Sequence, residues 1–160
     1  MAGTFRGAVR KIPELAHRVE PGLQALRRRD RRAVDVDDPQ TLSGSVDVDT
    51  ALAGVYPDDN RWDYCIGIRK SARSDRVVWI EIHPASSSSV TDMVKKANWL
   101  LSWLRGPGRP LAALNEGAPD LRWIPTGPVA FRRGSRQHIL LAKAGVGFPE
   151  RRADISRRST

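Results

Sequence analysis

Two carboxylates, one imidazole and two ammonium groups crowd one stretch of the chain: Asp63, Glu81, His83, Lys95 and Lys96. Neighbouring acids repel unless a cation sits between them or one keeps its proton. A divalent ion shared by two acids activates water and shields phosphate charge. Magnesium takes one or two carboxylates and fills its shell with water and phosphate oxygens; manganese can substitute for it. A histidine beside such a pair can bind the metal, accept a proton or orient water. A lysine can lean toward the acids. Asp63 and Glu81 are therefore candidate metal ligands, and His83, Lys96 and Lys95 are candidate catalytic groups.

The segment from Arg61 to Leu104 must position these residues. It reads as strand, turn, strand and helix. Successive strand residues face opposite ways. In the second strand Val78, Ile80 and Ile82 share one face, and Val77, Trp79, Glu81 and His83 share the other. A strand apolar on both faces is central and buried, so Glu81 and His83 interrupt core. The polar connection Arg69–Arg76 predicts a hairpin. A hairpin centred near Ala72 or Arg73 sets Asp63 opposite Glu81 or His83. The helix follows the Ser86–Ser89 run, with Ser89 as its cap and Asp92 in the first turn. Val90, Val94, Ala97, Leu101 and Leu104 form its apolar stripe, and Met93, Leu100 and Trp103 widen it. Lys96 lies at the edge of that stripe and Lys95 off the other side. Trp99 lies off the stripe and is expected to be partly exposed.

The 160 residues fit one domain, and 40% of them are hydrophobic, enough for a core. The net charge of +9 suits a polyanionic partner, above all nucleic acid. Cys65 is the single cysteine, which rules out an internal disulfide and a multi-cysteine zinc site. No apolar run approaches the roughly 20 residues that span a bilayer. Met1–Lys11 is basic without the apolar centre of a signal peptide. The expectation is a cytoplasmic protein with no membrane partner, its oligomeric state unknown.

Along the chain, residues 1–11 read as a mobile basic arm, 12–150 as a single α/β domain and 151–160 as a basic, partly disordered tail. Ile12 to about Arg32 has helical spacing, broken at Pro21-Gly22. The run Arg27-Arg28-Arg29-Asp30-Arg31-Arg32 suits either a helix C-terminus or a phosphate-contacting patch. Leu42–Asp49 reads as a strand with Leu42, Val46 and Val48 turned one way, and Asp49 as the cap of a short helical turn. Leu121–Pro125 reads as a strand with Pro125 at its end or at an edge. Gln137–Ala144 is either helix or strand.

The element order, αβββαβ with an Asp on the middle strand and a Glu on the next, resembles the PD-(D/E)xK nuclease superfamily over roughly residues 12–126. The resemblance implies an α/β (α+β) fold, a central mixed sheet flanked by helices. It also implies that Asp63 and Glu81 hold a divalent metal, usually magnesium. The superfamily lysine two residues after the second acid is His83 here, and the proline before the first acid is Trp62. Pro57-Asp58 is a literal Pro-Asp pair in the preceding loop. Some members carry the lysine on the following helix, where Lys96 and Lys95 stand. The implied activity is magnesium-dependent hydrolysis of nucleic-acid phosphodiesters. The missing lysine favours a catalytically degenerate member that binds nucleic acid or protein. An unrelated small α/β protein would use Glu81 in a buried ion pair, for instance with Lys96.

Overall fold

Val77, Val78, Trp79 and Ile80 are all buried, and the chain places that run at the centre of its sheet. The computed structural model describes residues 3–158. Its elements begin with α1 (Phe5–Arg10), α2 (Arg28–Arg31), β1 (Val34–Asp35), β2 (Leu42–Asp47) and α3 (Val48–Leu52). The hairpin β3 (Tyr64–Ser71) and β4 (Ser74–Ala85) comes next, then α4 (Ser89–Arg105) and α5 (Arg109–Ala112). The order ends with β5 (Asp120–Val129), α6 (Arg136–Lys143) and β6 (Ala153–Asp154). The main sheet runs β2-β3-β4-β5. Its first two pairings are antiparallel, and β5 joins β4 in parallel after the α4 crossover. This is a mixed α/β fold; it follows the αβββαβ order only if Phe5–Arg10, rather than the expected 12–32 segment, is taken as the leading helix and the short α3 between β2 and β3 is passed over. No helix among the described residues is long and apolar enough to cross a membrane.

The hairpin turns at Ala72-Arg73, between the paired Ser71 and Ser74. Tyr64 stands across from Ile80 and Cys65 from Trp79, so the same register carries Asp63 to Glu81. Pro125 sits on the edge strand β5, across from His83, where a missing N–H costs no sheet bond.

The two faces of the sheet are covered differently. One face carries Val77, Trp79, Cys65 and Trp123 and packs under α1, α4 and α6. Phe5 of α1 presses onto Gly67, where any Cβ would lie 2.2 Å from its ring, so a glycine is required. The opposite face, with Ile66, Ile68, Val78 and Ile80, has no long helix on it. Leu26, Val34, Ala153 and Ile155 cover it from loop-like segments.

Several expectations are corrected. The N-terminal arm is no mobile tail: Phe5–Arg10 is helical, Phe5 is fully buried, and its N–H donates to Asp75 Oδ2 at 2.7 Å. Residues 12–27 form successive three-residue turns instead of a helix, because Pro13 and Pro21 lack an N–H and Gly22 adopts a φ of 55°. A register shift between Leu42 and Gly44 sends Leu42 and Val46 to opposite faces. Asp47, not Asp49, caps α3, accepting the Thr50 N–H at 3.0 Å. Ser88 occupies the α4 cap position without a side-chain bond. The α4 stripe is centred on Met93, Ala97 and Leu100 and is turned toward Lys96, leaving Val94 and Leu101 half-buried. Trp99 is half-buried as expected, stacked on Trp103 and bonded through Nε1 to Asp59. The ambiguous segment is α6, capped by Ser135.

The C-terminal segment is pinned as well. β6 pairs with β1, and Ala153 and Ile155 are buried. Arg122, locked to Asp120 by two hydrogen bonds of 2.7 and 3.1 Å, also donates to the carbonyls of Asp154 and Arg157. Arg76 donates to the carbonyl of Ile155. Residues 151–158 are therefore held in the fold, contrary to the expectation of a partly disordered tail; residues 159 and 160 lie outside the described residues.

Candidate functional site

The backbone ladder between β3 and β4 ends at Tyr64–Ile80, and side chains continue it. The Asp63 N–H donates to Glu81 Oε1 at 3.1 Å, and the Ile82 N–H donates to Asp63 Oδ2 at 2.9 Å. Each carboxylate takes the place a backbone carbonyl would hold. The arrangement follows from the sequence: parity puts Glu81 on the face beneath α4, and the hairpin register brings Asp63 across from it.

Lys96 closes the group from above. Its Nζ lies 2.8 Å from Glu81 Oε2 and donates to the Arg61 carbonyl at 2.9 Å. Three groups from β4, α4 and the entry to β3 thus meet at one end of the sheet. Glu81 is nearly inaccessible at 1%, whereas Asp63 is half-buried.

Burial pushes the Glu81 carboxyl up to about 8, and the nearby Asp63 adds to the rise. The charge and hydrogen bond of Lys96 act the other way without cancelling it. Asp63 is also raised, chiefly by burial, against the lowering effects of the Ile82 N–H and Lys96. Both acids thus hold their protons more tightly than usual, because burial outweighs the nearby Lys96 charge.

His83 and Lys95 stand outside this hydrogen-bonded group. The His83 ring bonds through Nδ1 with the carbonyl of Pro84 at 2.9 Å and lies edge-on to Trp123. Lys95 is exposed on α4. Of the two lysines, it is Lys96 that reaches the acids. Asp58, of the literal Pro-Asp pair, lies exposed in a loop. Burial pushes the Cys65 thiol up, so it is an inert core side chain.

Asp63 also faces a polar cavity of about 230 Å³, walled by Arg27, Arg29, Asp30, Asp47, Asp49, Thr50, Tyr64, Ile82 and Thr126. Sequence reasoning did not connect Arg27, Asp30 and Tyr64 with Asp63. The Arg61 carbonyl as a lysine partner carried no sequence signal at all.

The donor set suits a hard divalent ion. Magnesium needs one or two carboxylates and leaves the rest of its shell to water and phosphate. Among the described residues no cluster of three or more His, Cys, Asp or Glu stands ready to hold a metal. Among the same residues, Asp63 Oδ1 makes no protein hydrogen bond. A cation there would offset the repulsion that Asp63 adds to the burial of Glu81.

No protein-family model, curated protein or solved structure matches the chain.

Proposed function

We propose that the chain is a magnesium-dependent, nuclease-like hydrolase acting on phosphodiester bonds of nucleic acid. The observation that carries the reading is the convergence of Asp63, Glu81 and Lys96 at one end of an αβββαβ sheet. Similarity to the PD-(D/E)xK superfamily supports it through the same element order, with the lysine supplied by the helix. The net charge of +9 suits the polyanion.

Asp63 and Glu81 would hold the ion, which supplies Lewis-acid activation of water and shielding of the phosphate. Glu81 must first give up its proton. Lys96 keeps the Glu81 carboxylate oriented through Oε2 while the Asp63 N–H fixes Oε1. The Arg61 carbonyl holds the lysine in place. With two of its N–H groups given to Glu81 and Arg61, Lys96 keeps a third that would orient water or phosphate. His83 holds the Pro84 carbonyl through Nδ1, which leaves Nε2 for a bound substrate.

One observation favours a second reading, a non-cleaving binding module. Lys96 already neutralises Glu81 directly at 2.8 Å, with both Glu81 oxygens hydrogen-bonded. Incubation of the purified protein with labelled DNA and RNA in magnesium or manganese separates the two. Cleavage lost in Glu81→Gln and Asp63→Asn establishes the hydrolase. Binding without cleavage, unchanged by either substitution, establishes the module.

A further inference from the structure

The arginine run 27–32 does not end a helix. Only Arg28–Arg31 is helical, a single turn, and Arg27 is its N-cap residue. Basic residues at that end gain nothing from the helix dipole, which favours anions there. Their placement has another cause. Tyr64, the residue after Asp63, donates its hydroxyl to Asp30 Oδ2 at 2.8 Å, and the Tyr64 hydroxyl oxygen accepts the Arg27 N–H at 3.4 Å. Asp30 is buried, so the run is tied to the strand at the candidate site. The result sets Arg27 and Arg29 on the wall of the cavity that contains Asp63. Both are exposed, and among the described residues Arg27 makes no ion pair.

The acids in that cavity do not compete equally for these arginines. Asp30 is held by Tyr64, Asp47 by the N–H and hydroxyl of Thr50, and Asp49 by Arg61 at 3.0 Å. Arg29 comes no nearer to Asp30 than 4.0 Å. The cavity is smaller than the roughly 300–1,000 Å³ of drug-sized pockets. It suits a backbone phosphate rather than a whole nucleotide.

We propose that Arg27 and Arg29 form a phosphate-binding wall that seats the nucleic-acid backbone against Asp63, and that Tyr64 positions it. The proposal rests on the hydrolase reading for the identity of the substrate, but its test does not need cleavage. The ligand is recognised through its phosphodiester charge, so DNA and RNA are both probed.

The experiment measures binding of fluorescein-labelled 12-nucleotide DNA and RNA in EDTA across a salt series. Wild type is compared with Arg27→Ala/Arg29→Ala, with Tyr64→Phe, and with Arg10→Ala/Arg18→Ala, which removes the same charge from exposed positions that do not line this cavity. Expected is a loss of about tenfold or more for the first double variant, with the salt slope reduced by about 1.4 on these single strands. Less than a threefold change is expected in the control. Tyr64→Phe should lose affinity severalfold while keeping most of the salt slope, since both arginines remain. Equal losses in the two double variants, or wild-type binding by the first, overturn the proposal and leave the hydrolase reading standing. Failure of wild type to cleave with metal, while Arg27 and Arg29 still govern binding, overturns the hydrolase reading alone. Absence of wild-type binding at low salt overturns both.

Discussion

Asp63 is tied to Glu81 and to its neighbour across the end of the hairpin: Asp63 gives its N–H to the Glu81 carboxylate, and its own carboxylate takes the N–H of Ile82. The pairing brings two acids together by backbone geometry, whatever their charge prefers. Burial raises both carboxyls, and at Glu81 the nearness of Asp63 adds to the rise.

The first prediction concerns Glu81→Gln. With a folded pKa near 8 against an ordinary 4.5, the protonated carboxyl is the form that folding favours. Its contribution is complete below about pH 4.5 and is lost as pH rises through 8. Glutamine has the same shape and can accept from Lys96. At pH 6 the substitution should therefore change stability by no more than about 1 kcal/mol. Between pH 6 and 8.5 metal-free wild type should lose stability relative to the variant. Urea denaturation at the two pH values checks both statements. A loss of about 3–5 kcal/mol at pH 6 would instead mean that Glu81 is ionised and its partner left stranded.

A second prediction concerns Lys96→Met, which removes the cation and keeps the stem. Above pH 8 the variant leaves an ionised Glu81 without its partner, at a cost of about 3–5 kcal/mol. At pH 5 the loss should be smaller, because Glu81 is then neutral. Parallel pH dependences for the variant and wild type would show that Lys96 does not serve Glu81.

Metal binding should release protons. The ion requires an ionised Glu81, so manganese affinity should climb as pH rises toward 8 and level off above it. Titration calorimetry in buffers of different ionisation enthalpy counts the protons released. Asp63→Asn should abolish the heat of binding. Equal manganese affinity at pH 6 and 8.5 would remove Glu81 from the donor set.

For the C-terminal segment, Ile155→Ala should cost about 2–5 kcal/mol, the usual range for a fully buried isoleucine. Asp120→Asn should cost a similar amount, because it leaves the Arg76 and Arg122 guanidiniums short of their shared acid. Chemical denaturation measures both. Near-wild-type stability in both variants would return the segment to the status of a loose tail.

The hairpin, its register and the acid pair were legible because strand parity and a short polar turn are local signals. Lys96 was legible for the same reason, from its place at the edge of a helical stripe. The cover of the second sheet face was not. Segments around Leu26 and Ile155 lie in turns whose bonds run to distant partners, such as Arg122 to Asp154 and Arg76 to Ile155. Periodicity carries no trace of those bonds. The link from Arg27 and Asp30 to Tyr64 is equally non-local, spanning 37 and 34 residues. The α4 phase was misjudged by a partial turn because hydrophobicity alone ignores the inward pull of the Lys96 bonds to Glu81 and Arg61.

The short β1–β6 ladder has a kinetic consequence. It is joined by bonds such as Asp37 N–H to Ser156 Oγ, which close a loop of 119 residues. Closing so long a loop before the sheet exists would sacrifice chain entropy with little contact energy in return. The hairpin and α4 can nucleate without it, so the ladder belongs to the native side of the folding barrier. Ile155→Ala should then accelerate unfolding and leave the refolding rate almost unchanged, and the second sheet face should stay open to solvent until the last step.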